Sequence, residues 1–499
     1  MSFRDYASRG LTQSLCPDCL AVVPAKICVR DERVYFRKRC PEHGEREDFA
    51  CSDVAWFDRY EYSLPGKTPR FFGAEPRLGC PYDCGLCSEH EQHTCLALLE
   101  ITSACNLRCP MCFAESGPGG RHLTLEQCRA AVDALVEAEG RPEILQLSGG
   151  EPTLHPQFFA ILDYACAAPI DIVMVNTNGV RIAQDPAFVA QLAARRGRLE
   201  IYFQLDGLRD DGMRLLRGES LLETKLRAVE RLGEAGLRTV LTSTLHPGAN
   251  DDQMGPLVEF GAARRWVTGV SFQPACYVGR YVEPEDLERR ITFPDVIRGV
   301  AAQTRGQWQE TDFAPLPCAH PNSHTLAYAI RGEGRLLPLA RFLDLRRQLD
   351  LLSGRITFDR QRARQLIENY LARLACGSVA SACAAAPIAA RAATATVADS
   401  ARVAAAADPL AETFFRRALQ EQLQPEDMFR LTTTSFMDAY NFDLRQLVKS
   451  CVHQVLPTGH LIPFSAYNLF YRHGRVPLPP LQRSRPAAPA ASFRQQAAR

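Results

Sequence analysis

The chain lacks a charge of dominant sign, an apolar run of membrane length and the leader of an exported protein. Lys and Arg number 58 against 57 Asp and Glu, a net charge of +1, whereas a dedicated nucleic-acid binder would show a basic excess. No apolar run is long enough to span a bilayer. The N-terminus, MSFRDYASRGLTQSLCPDC, has no apolar signal-peptide core. The expectation is a cytoplasmic protein with no nucleic-acid partner and no integral membrane span. No repeat of solenoid length is present, and no acid–base dyad or nucleophile stands out. His155, next to Pro156, reads as a helix-start residue. What remains, 499 residues with 46% apolar and 23% charged, suits a soluble globular protein of about three domains.

What the chain has in excess is cysteine, nineteen of them. In a small secreted domain this would read as a disulfide framework; in a long chain without an export signal, clustered thiols more often bind metal. Cys16, Cys19 and Cys40 form one group, Cys80, Cys84, Cys87 and Cys95 a second, and Cys105, Cys109 and Cys112 a third. Cys28, Cys51, Cys128, Cys166, Cys276, Cys376 and Cys383 have no neighbour at ligand spacing and read as buried or incidental thiols.

Residues 1–70 are turn-rich and strand-like, with a metal knuckle at Cys40-Pro41-Glu42-His43-Gly44. Residues 71–95 carry the second cysteine group. Between 96 and 280 six strand-like runs, LALLEIT, EILQLSGG, DIVMVNTNG, LEIYFQLDG, RTVLTSTL and VTGVSFQP, alternate with helical segments. This predicts a parallel sheet with right-handed crossovers, an open or closed α/β barrel, whose functional residues fall after the strands' C-terminal ends. Residues 281–375 form an accessory region containing PLPCAHPNSHTLAYAI, a candidate strand pair. Residues 376–408 read as an Ala-rich linker, 409–475 as a mainly helical C-terminal region and 476–499 as a disordered tail.

The strongest chemical signal is Cys105-x3-Cys109-x2-Cys112, directly after the first barrel strand. Three thiolates on one short loop can hold three irons of a [4Fe–4S] cluster and leave the fourth open. A zinc knuckle would want a fourth thiolate or histidine at knuckle spacing. Gly149-Gly150-Glu151-Pro152 follows the next strand, a turn whose glycines expose backbone to close approach by a ligand and whose glutamate fixes the turn. Cys16-x2-Cys19 and Cys40-x2-His43 suit tetrahedral zinc or a mononuclear iron, with Cys51 as an alternative fourth ligand.

On CNLRCPMC and GGEP, residues 96–280 resemble the radical SAM superfamily. The resemblance implies a partial (β/α)6 barrel, here with an N-terminal metal-binding knuckle domain and a mainly helical C-terminal region. It implies that Cys105, Cys109 and Cys112 hold a catalytic [4Fe–4S] cluster whose open iron binds S-adenosylmethionine. Reductive cleavage would then give a 5′-deoxyadenosyl radical that takes hydrogen from an unactivated carbon. It further implies cofactor contacts from Gly149, Gly150, Glu151 and Pro152, from Asn178 in NTNG, from Gln204 and Asp206 in FQLDG, and from Gln273 in FQP. Met111 stands where many members carry an aromatic residue, at a position that supplies packing and no ligand.

Cys80-Pro-Tyr-Asp-Cys84-Gly-Leu-Cys87 repeats the cluster-loop spacing. The favoured reading is an auxiliary [4Fe–4S] cluster closed by Cys95 as fourth thiolate; a second S-adenosylmethionine site and a zinc site are the alternatives. The three cysteine groups together, with FMDAYNFD, Cys451-Val452-His453 and IPFSAYN further on, resemble a narrower group that contains an archaeal pterin-precursor methylase and the archaeal tetraether lipid synthases. The expected function is methylation of a small heterocycle such as a pterin, the methyl coming from methylene-tetrahydrofolate or S-adenosylmethionine. Coupling or modification of lipid chains and a plain iron–sulfur electron carrier are the alternatives. The expected partners are a pterin-like or lipid small molecule and a reductant such as flavodoxin or ferredoxin. Tetraether-type relatives place further cysteines where this chain has Ser323 and Ser465 beside its retained Cys318 and Cys451, so a third cluster is expected to be lost even with His320 and His453 nearby.

Overall fold

The computed structural model describes residues 5–332, 334–346, 349 and 408–485. The expected Ala-rich linker, apart from Asp408, and the tail beyond residue 485 lie outside the described residues, as do Cys376 and Cys383.

Strands β1 (Ala7–Leu15), β2 (Val22–Arg30), β3 (Arg33–Cys40) and β4 (Gly44–Cys51) form an antiparallel meander. Asp31 and Glu32, both at positive φ, make the two-residue turn between β2 and β3, the turn type whose twist matches that of its flanking strands. Because β1 and β3 run the same way, the turns after them fall at one end of the sheet. This brings Cys16 and Cys19 to Cys40 and His43. The sheet is locked to the rest of the molecule by Lys38, which is 2% exposed. Its Nζ pairs with Asp48 at 2.9 Å and donates to the carbonyls of Leu15, Ala439 and Tyr440 at 3.0, 3.1 and 2.7 Å.

The six expected barrel strands are all present: β5 (Leu96–Thr102), β6 (Ile144–Gly149), β7 (Ile172–Thr177), β8 (Leu199–Gln204), β9 (Thr239–Leu245) and β10 (Val267–Pro274). They pair in parallel in chain order. Their apolar runs are nearly continuous because both faces are covered; Ala97, Leu98, Leu99 and Ile101 of β5 are all buried. The crossovers are helices α1 (Leu125–Glu139), α2 (Phe158–Ala167), α3 (Val180–Gln184), α4 (Pro186–Ala193), α5 (Asp210–Arg217), α6 (Leu222–Glu234) and α7 (Met254–Ala262). Local chemistry sets their starts. Thr124 and Gln127 exchange side-chain bonds to each other's backbone N–H at α1, and Asp185 caps α4 ahead of Pro186, each satisfying amides the helix leaves free. Helix α8 (Phe293–Gln303) follows the barrel.

The sheet is larger than six strands. Beyond β10 it continues through β14 (Met428–Thr434), parallel to β10, and β12 (His324–Gly332), antiparallel to β14; β11 (Ala314–Pro315) and β13 (Arg335–Pro338) pair with β12. Beyond β5 it continues through β15 (Val452–Val455), parallel to β5, and β16 (Leu461–Pro463). The expected strand pair in PLPCAHPNSHTLAYAI is β11–β12. The reading of 409–475 as mainly helical holds for α9 (Pro409–Leu419) and for the shorter helical stretches Leu444–Val448, Phe464–Ala466 and Tyr467–Tyr471 but misses the three strands that cap both edges of the barrel sheet. β15 and β16 are too short to show a period, and β14 reveals its buried Phe429, Leu431 and Thr433 only by alternation.

Replacing Lys38 with Met strips a charged donor from three buried carbonyls. The expected cost is about 3–5 kcal/mol, seen as a lower unfolding midpoint and as earlier proteolytic release of the N-terminal sheet.

Candidate active site and metal centres

The loops after the barrel strands enclose one main cavity, about 1140 Å³ of empty space including its open mouth, into which Cys105, Cys109 and Cys112 all face. Gly149, Gly150, Asn178, Gln204 and Gln273 line the same cavity. Residues far apart in sequence thus converge because each follows a different strand of one parallel sheet.

The cysteine loop is held from two sides. On one side the glycine turn lies along it like an extra strand: the N–H of Gly150 donates to Thr102 O, and that of Glu151 to Ala104 O, both at 2.8 Å. A Cβ on Gly149 would sit 2.0 Å from Thr102 O and one on Gly150 2.3 Å from Ala104 O, so only glycine permits this approach. The glycines therefore serve the loop's own backbone as well as any ligand. On the other side Arg280 donates to the carbonyls of Cys109, Glu115 and Ser116, and its backbone exchanges hydrogen bonds with Cys112. Arg280 was not expected from the sequence, since its partners are main-chain groups that leave no side-chain pattern.

Glu151 and Pro152 are buried beneath the cavity. The Glu151 carboxylate accepts from Thr153 Oγ1 at 2.6 Å and from Thr177 Oγ1 and Asn178 N at 2.8 Å. Burial nevertheless pushes its pKa above the usual range. Asn178 reaches the loop, donating to Asn106 Oδ1 at 2.8 Å. Asp206 departs from its expected place. It is 1% exposed, at φ 68°, and its carboxylate is engaged by Arg217 through two bonds of 2.6 Å. Burial works against its charge, but Arg217 prevails and holds its pKa below the usual range. The group that lines the cavity is Arg217 itself, beside Cys109 and Gln204. Behind it Lys225 is fully buried against the carbonyls of Gln204 and Asn178, and burial draws its pKa down to about 8. Cys276, read as an incidental thiol, also lines the cavity at the end of β10, as do Ser465 and Asn468. The strand-end rule points to Cys276; the others come from segments with no local signal.

A smaller cavity is lined by Cys80, Cys84 and Cys87 with His90 and Glu89. Asp83 organises this loop by accepting the N–H groups of Arg77, Leu78 and Gly79 at 2.7, 2.5 and 2.8 Å. Cys95 does not close this group, contrary to the expectation from spacing. It immediately precedes β5, whose pairing with β15 carries it to Cys451, and its Sγ lies 3.6 Å from that of Cys318. Parallel pairing over hundreds of residues has outweighed an eight-residue separation.

In the N-terminal sheet Cys16, Cys19, Cys40 and His43 present ligand atoms all within 4.8 Å of one another. Cys19 and Cys40 sulfurs are 3.8 Å apart, and His43 Nδ1 lies 3.6 and 3.5 Å from the sulfurs of Cys16 and Cys40. A tetrahedral ion with metal–sulfur bonds of about 2.3 Å needs sulfurs about 3.8 Å apart, so the set fits one ion. Cys51 is not among them; it is buried at the end of β4 with its Sγ toward Asp53 O, and burial pushes its thiol up to about 12.

The radical SAM superfamily model matches residues 99–261, and the model of the HMPTM N-terminal zinc ribbon domain matches residues 9–52. The chain is 30% identical over 488 residues to the 7,8-dihydro-6-hydroxymethylpterin dimethyltransferase of Methanocaldococcus jannaschii, covering 92% of this chain and 94% of that protein. It is 32% identical over 188 residues to the mycofactocin maturase MftC of Mycolicibacterium smegmatis, covering 38% of this chain and 45% of that protein. Among solved structures, SuiB of Streptococcus suis covers 42% of this chain and 46% of its own, at 16% identity and a TM-score of 0.36. Among the described residues no helix is long and apolar enough to cross a membrane.

The packing at Gly150 predicts that Gly150→Val displaces Ala104 and with it Cys105. Overpacking of this kind costs about 1–3 kcal/mol, and the reconstituted variant should show weakened iron–sulfur absorbance as well as weakened S-adenosylmethionine binding. Arg280→Met should leave the fold intact but hasten loss of iron from the loop to a chelator.

Proposed function

The chain belongs to the radical SAM superfamily, in the family of the 7,8-dihydro-6-hydroxymethylpterin dimethyltransferase, and we propose that it methylates an unactivated carbon of a pterin-like heterocycle. The observation that carries the proposal is the convergence of Cys105, Cys109 and Cys112 on a cavity that also presents Asn178, Gln204, Gln273 and Arg217, in a chain that aligns with that relative over nearly its whole length.

The donor set fits the group the family uses. Three thiols from one loop suit three irons of a [4Fe–4S] cluster. Burial pushes the Cys105 thiol up to about 12, so iron takes the place of protons when it binds. Cluster and S-adenosylmethionine, when bound, supply one-electron chemistry that breaks an unreactive C–H bond. The chain's own residues bind and orient. Backbone of Gly149 and Gly150 flanks the loop; Glu151 and Pro152 hold that turn from beneath. Asn178, Gln204 and Gln273 offer amide groups to the cofactor and substrate. Arg217, its charge kept by Asp206, would hold the carboxylate of the bound cofactor, and Asp206 acts through it.

Cys80, Cys84 and Cys87 form, in this reading, the seat of an auxiliary cluster, without Cys95. The N-terminal group holds zinc. Electrons come from a flavodoxin- or ferredoxin-type reductant. Asn178, Gln204, Gln273 and Arg217 offer hydrogen-bonding partners for a heterocycle's edges, and Phe113, Phe436 and Phe464 offer apolar surface for its ring faces.

Anaerobically reconstituted protein, reduced and given S-adenosylmethionine and methylene-tetrahydrofolate, the two candidate methyl donors, with 7,8-dihydro-6-hydroxymethylpterin, should yield 5′-deoxyadenosine and a pterin carrying one or two added methyl groups by mass spectrometry. Alanine at Cys105, Cys109 or Cys112 should reduce both products to background. An unmethylated pterin alongside coupled lipid chains would overturn the substrate assignment.

A further inference from the structure

We infer that a second cavity, at the seam between the N-terminal sheet and the barrel, binds a neutral, flat heterocycle of the reduced-pterin class, separate from the ring that reacts in the main cavity. The site rests on the geometry of the seam; the class of ring rests also on the pterin reading above.

The seam cavity has about 500 Å³ of empty space including its open side. Pieces of chain far apart in sequence meet around it: Phe36 of β3 and Ala50 of β4, Pro274 at the end of β10, Phe293 at the start of α8, and the segment 435–446. Seams between domains are a common place for small-molecule sites. Pro274 and Phe436 line both this cavity and the main one. Phe436 also packs on Phe464 of the main cavity, with ring centroids 4.2 Å apart. A molecule in the seam therefore lies against side chains that wall the reaction chamber.

The lining selects against charge. Buried Arg290 is paired with Asp438 and buried Asp443 with Arg445, each at 2.6 Å. A phosphate or carboxylate entering here would lose its water without gaining a free counter-charge. Phe36, Phe57, Phe293 and Phe436 offer the faces and edges that suit a flat ring. Three polar groups keep hydrogen-bonding capacity. Gln446 donates Nε2 to Ser435 O at 3.2 Å, which leaves its Oε1 to accept. Asn441 accepts the Asp438 N–H through Oδ1 at 2.8 Å, which leaves its Nδ2 to donate. The buried Ser435 hydroxyl has no partner among the described residues, a state that costs free energy until a partner arrives. An acceptor, a donor and a hydroxyl together match a ring edge with N–H and C=O side by side, as in the pyrimidine half of a reduced pterin. A hydrocarbon would leave all three unpaired. In the proposed reaction such a ring has two sources, a folate-class one-carbon carrier, whose charged tail would leave by the open side, and a second molecule of the hydroxymethylpterin.

The test is equilibrium binding to the full, reconstituted chain without oxygen, with 5-formyl-tetrahydrofolate and 7,8-dihydro-6-hydroxymethylpterin as probes. Ala50→Trp places an indole in the seam. Gln446→Leu removes the open acceptor and serves alone if the tryptophan variant fails to fold. The expected result is a loss of about tenfold or more in affinity for a probe, the effect of one lost buried hydrogen bond, with S-adenosylmethionine binding and cleavage unchanged. Weakened 5-formyl-tetrahydrofolate assigns the seam to the carrier; loss of a second hydroxymethylpterin bound per chain assigns it to the substrate. Wild-type affinity for both probes in the variants would overturn the site and leave the pterin reading standing. Displacement of the affected probe by S-adenosylmethionine would put it in the main cavity and overturn the site as well. A wild-type chain that binds neither probe would overturn the site together with the pterin reading.

Discussion

Strand β5 is the element on which the rest depends, because its pairing and its two ends position three groups of cysteines. Its parallel ladder with β6 aligns Thr102 with Gly149, which lays the glycine turn against the cysteine loop. Its parallel ladder with β15 aligns Leu96 with Val452, which sets Cys95 beside Cys451. The loop that leaves its C-terminal end carries Cys105, Cys109 and Cys112, and the segment entering its N-terminal end carries Cys80, Cys84 and Cys87. A parallel strand paired on both edges cannot slip by one residue without breaking its ladders to β6 and β15 together. The thiol positions inherit that rigidity.

Buried and half-buried ion pairs repeat one role at several seams between the barrel and the later chain. Arg430 of β14 meets Glu200 of β8 at 2.7 Å, Arg290 meets Asp438 at 2.6 Å, and Arg472 meets Glu100 of β5 at 2.5 Å. Such pairs recover only about what desolvation costs them, so their contribution to stability is small. Breaking one is expensive, which makes each seam all-or-none. The last two pairs set the segments 438–441 and 464–472 over the mouth of the barrel, where Ser465 and Asn468 line the cavity. Lys38 binds the carbonyls of Ala439 and Tyr440 in the same segment, so the N-terminal sheet rests on the element that also walls the active site.

The legible parts of this molecule were those written locally. Six strands and their crossover helices followed from apolar runs and caps such as Thr124 and Asp185, and Cys105, Cys109 and Cys112 with Gly149 and Gly150 followed from contiguous motifs at strand ends. What was illegible depends on pairing across long separations. The edge strands β14, β15 and β16 are short and take their meaning from partners far away in the chain. Arg217 could not be told from any surface arginine until Asp206 faced it, and Arg280 binds only carbonyls. The error over Cys95 has the same cause: spacing ranks ligands by chain distance, whereas a sheet ranks them by register.

That distinction also separates the cysteine groups of this chain. Cys105, Cys109 and Cys112 lie on one loop, so most of the entropy of gathering them is removed by the short chain between them. A loop of this kind can hold its ligands, and leave a coordination position open, without help from the metal. Cys95, Cys318 and Cys451 are brought together only when sheet edges and loops far apart in sequence have docked. Their assembly therefore needs most of the fold to be complete. The N-terminal group lies between: its two knuckles are local, but their meeting needs the β1–β4 meander. Within one chain, thiols close in sequence are gathered by their own loop, and thiols distant in sequence by the register of the sheet.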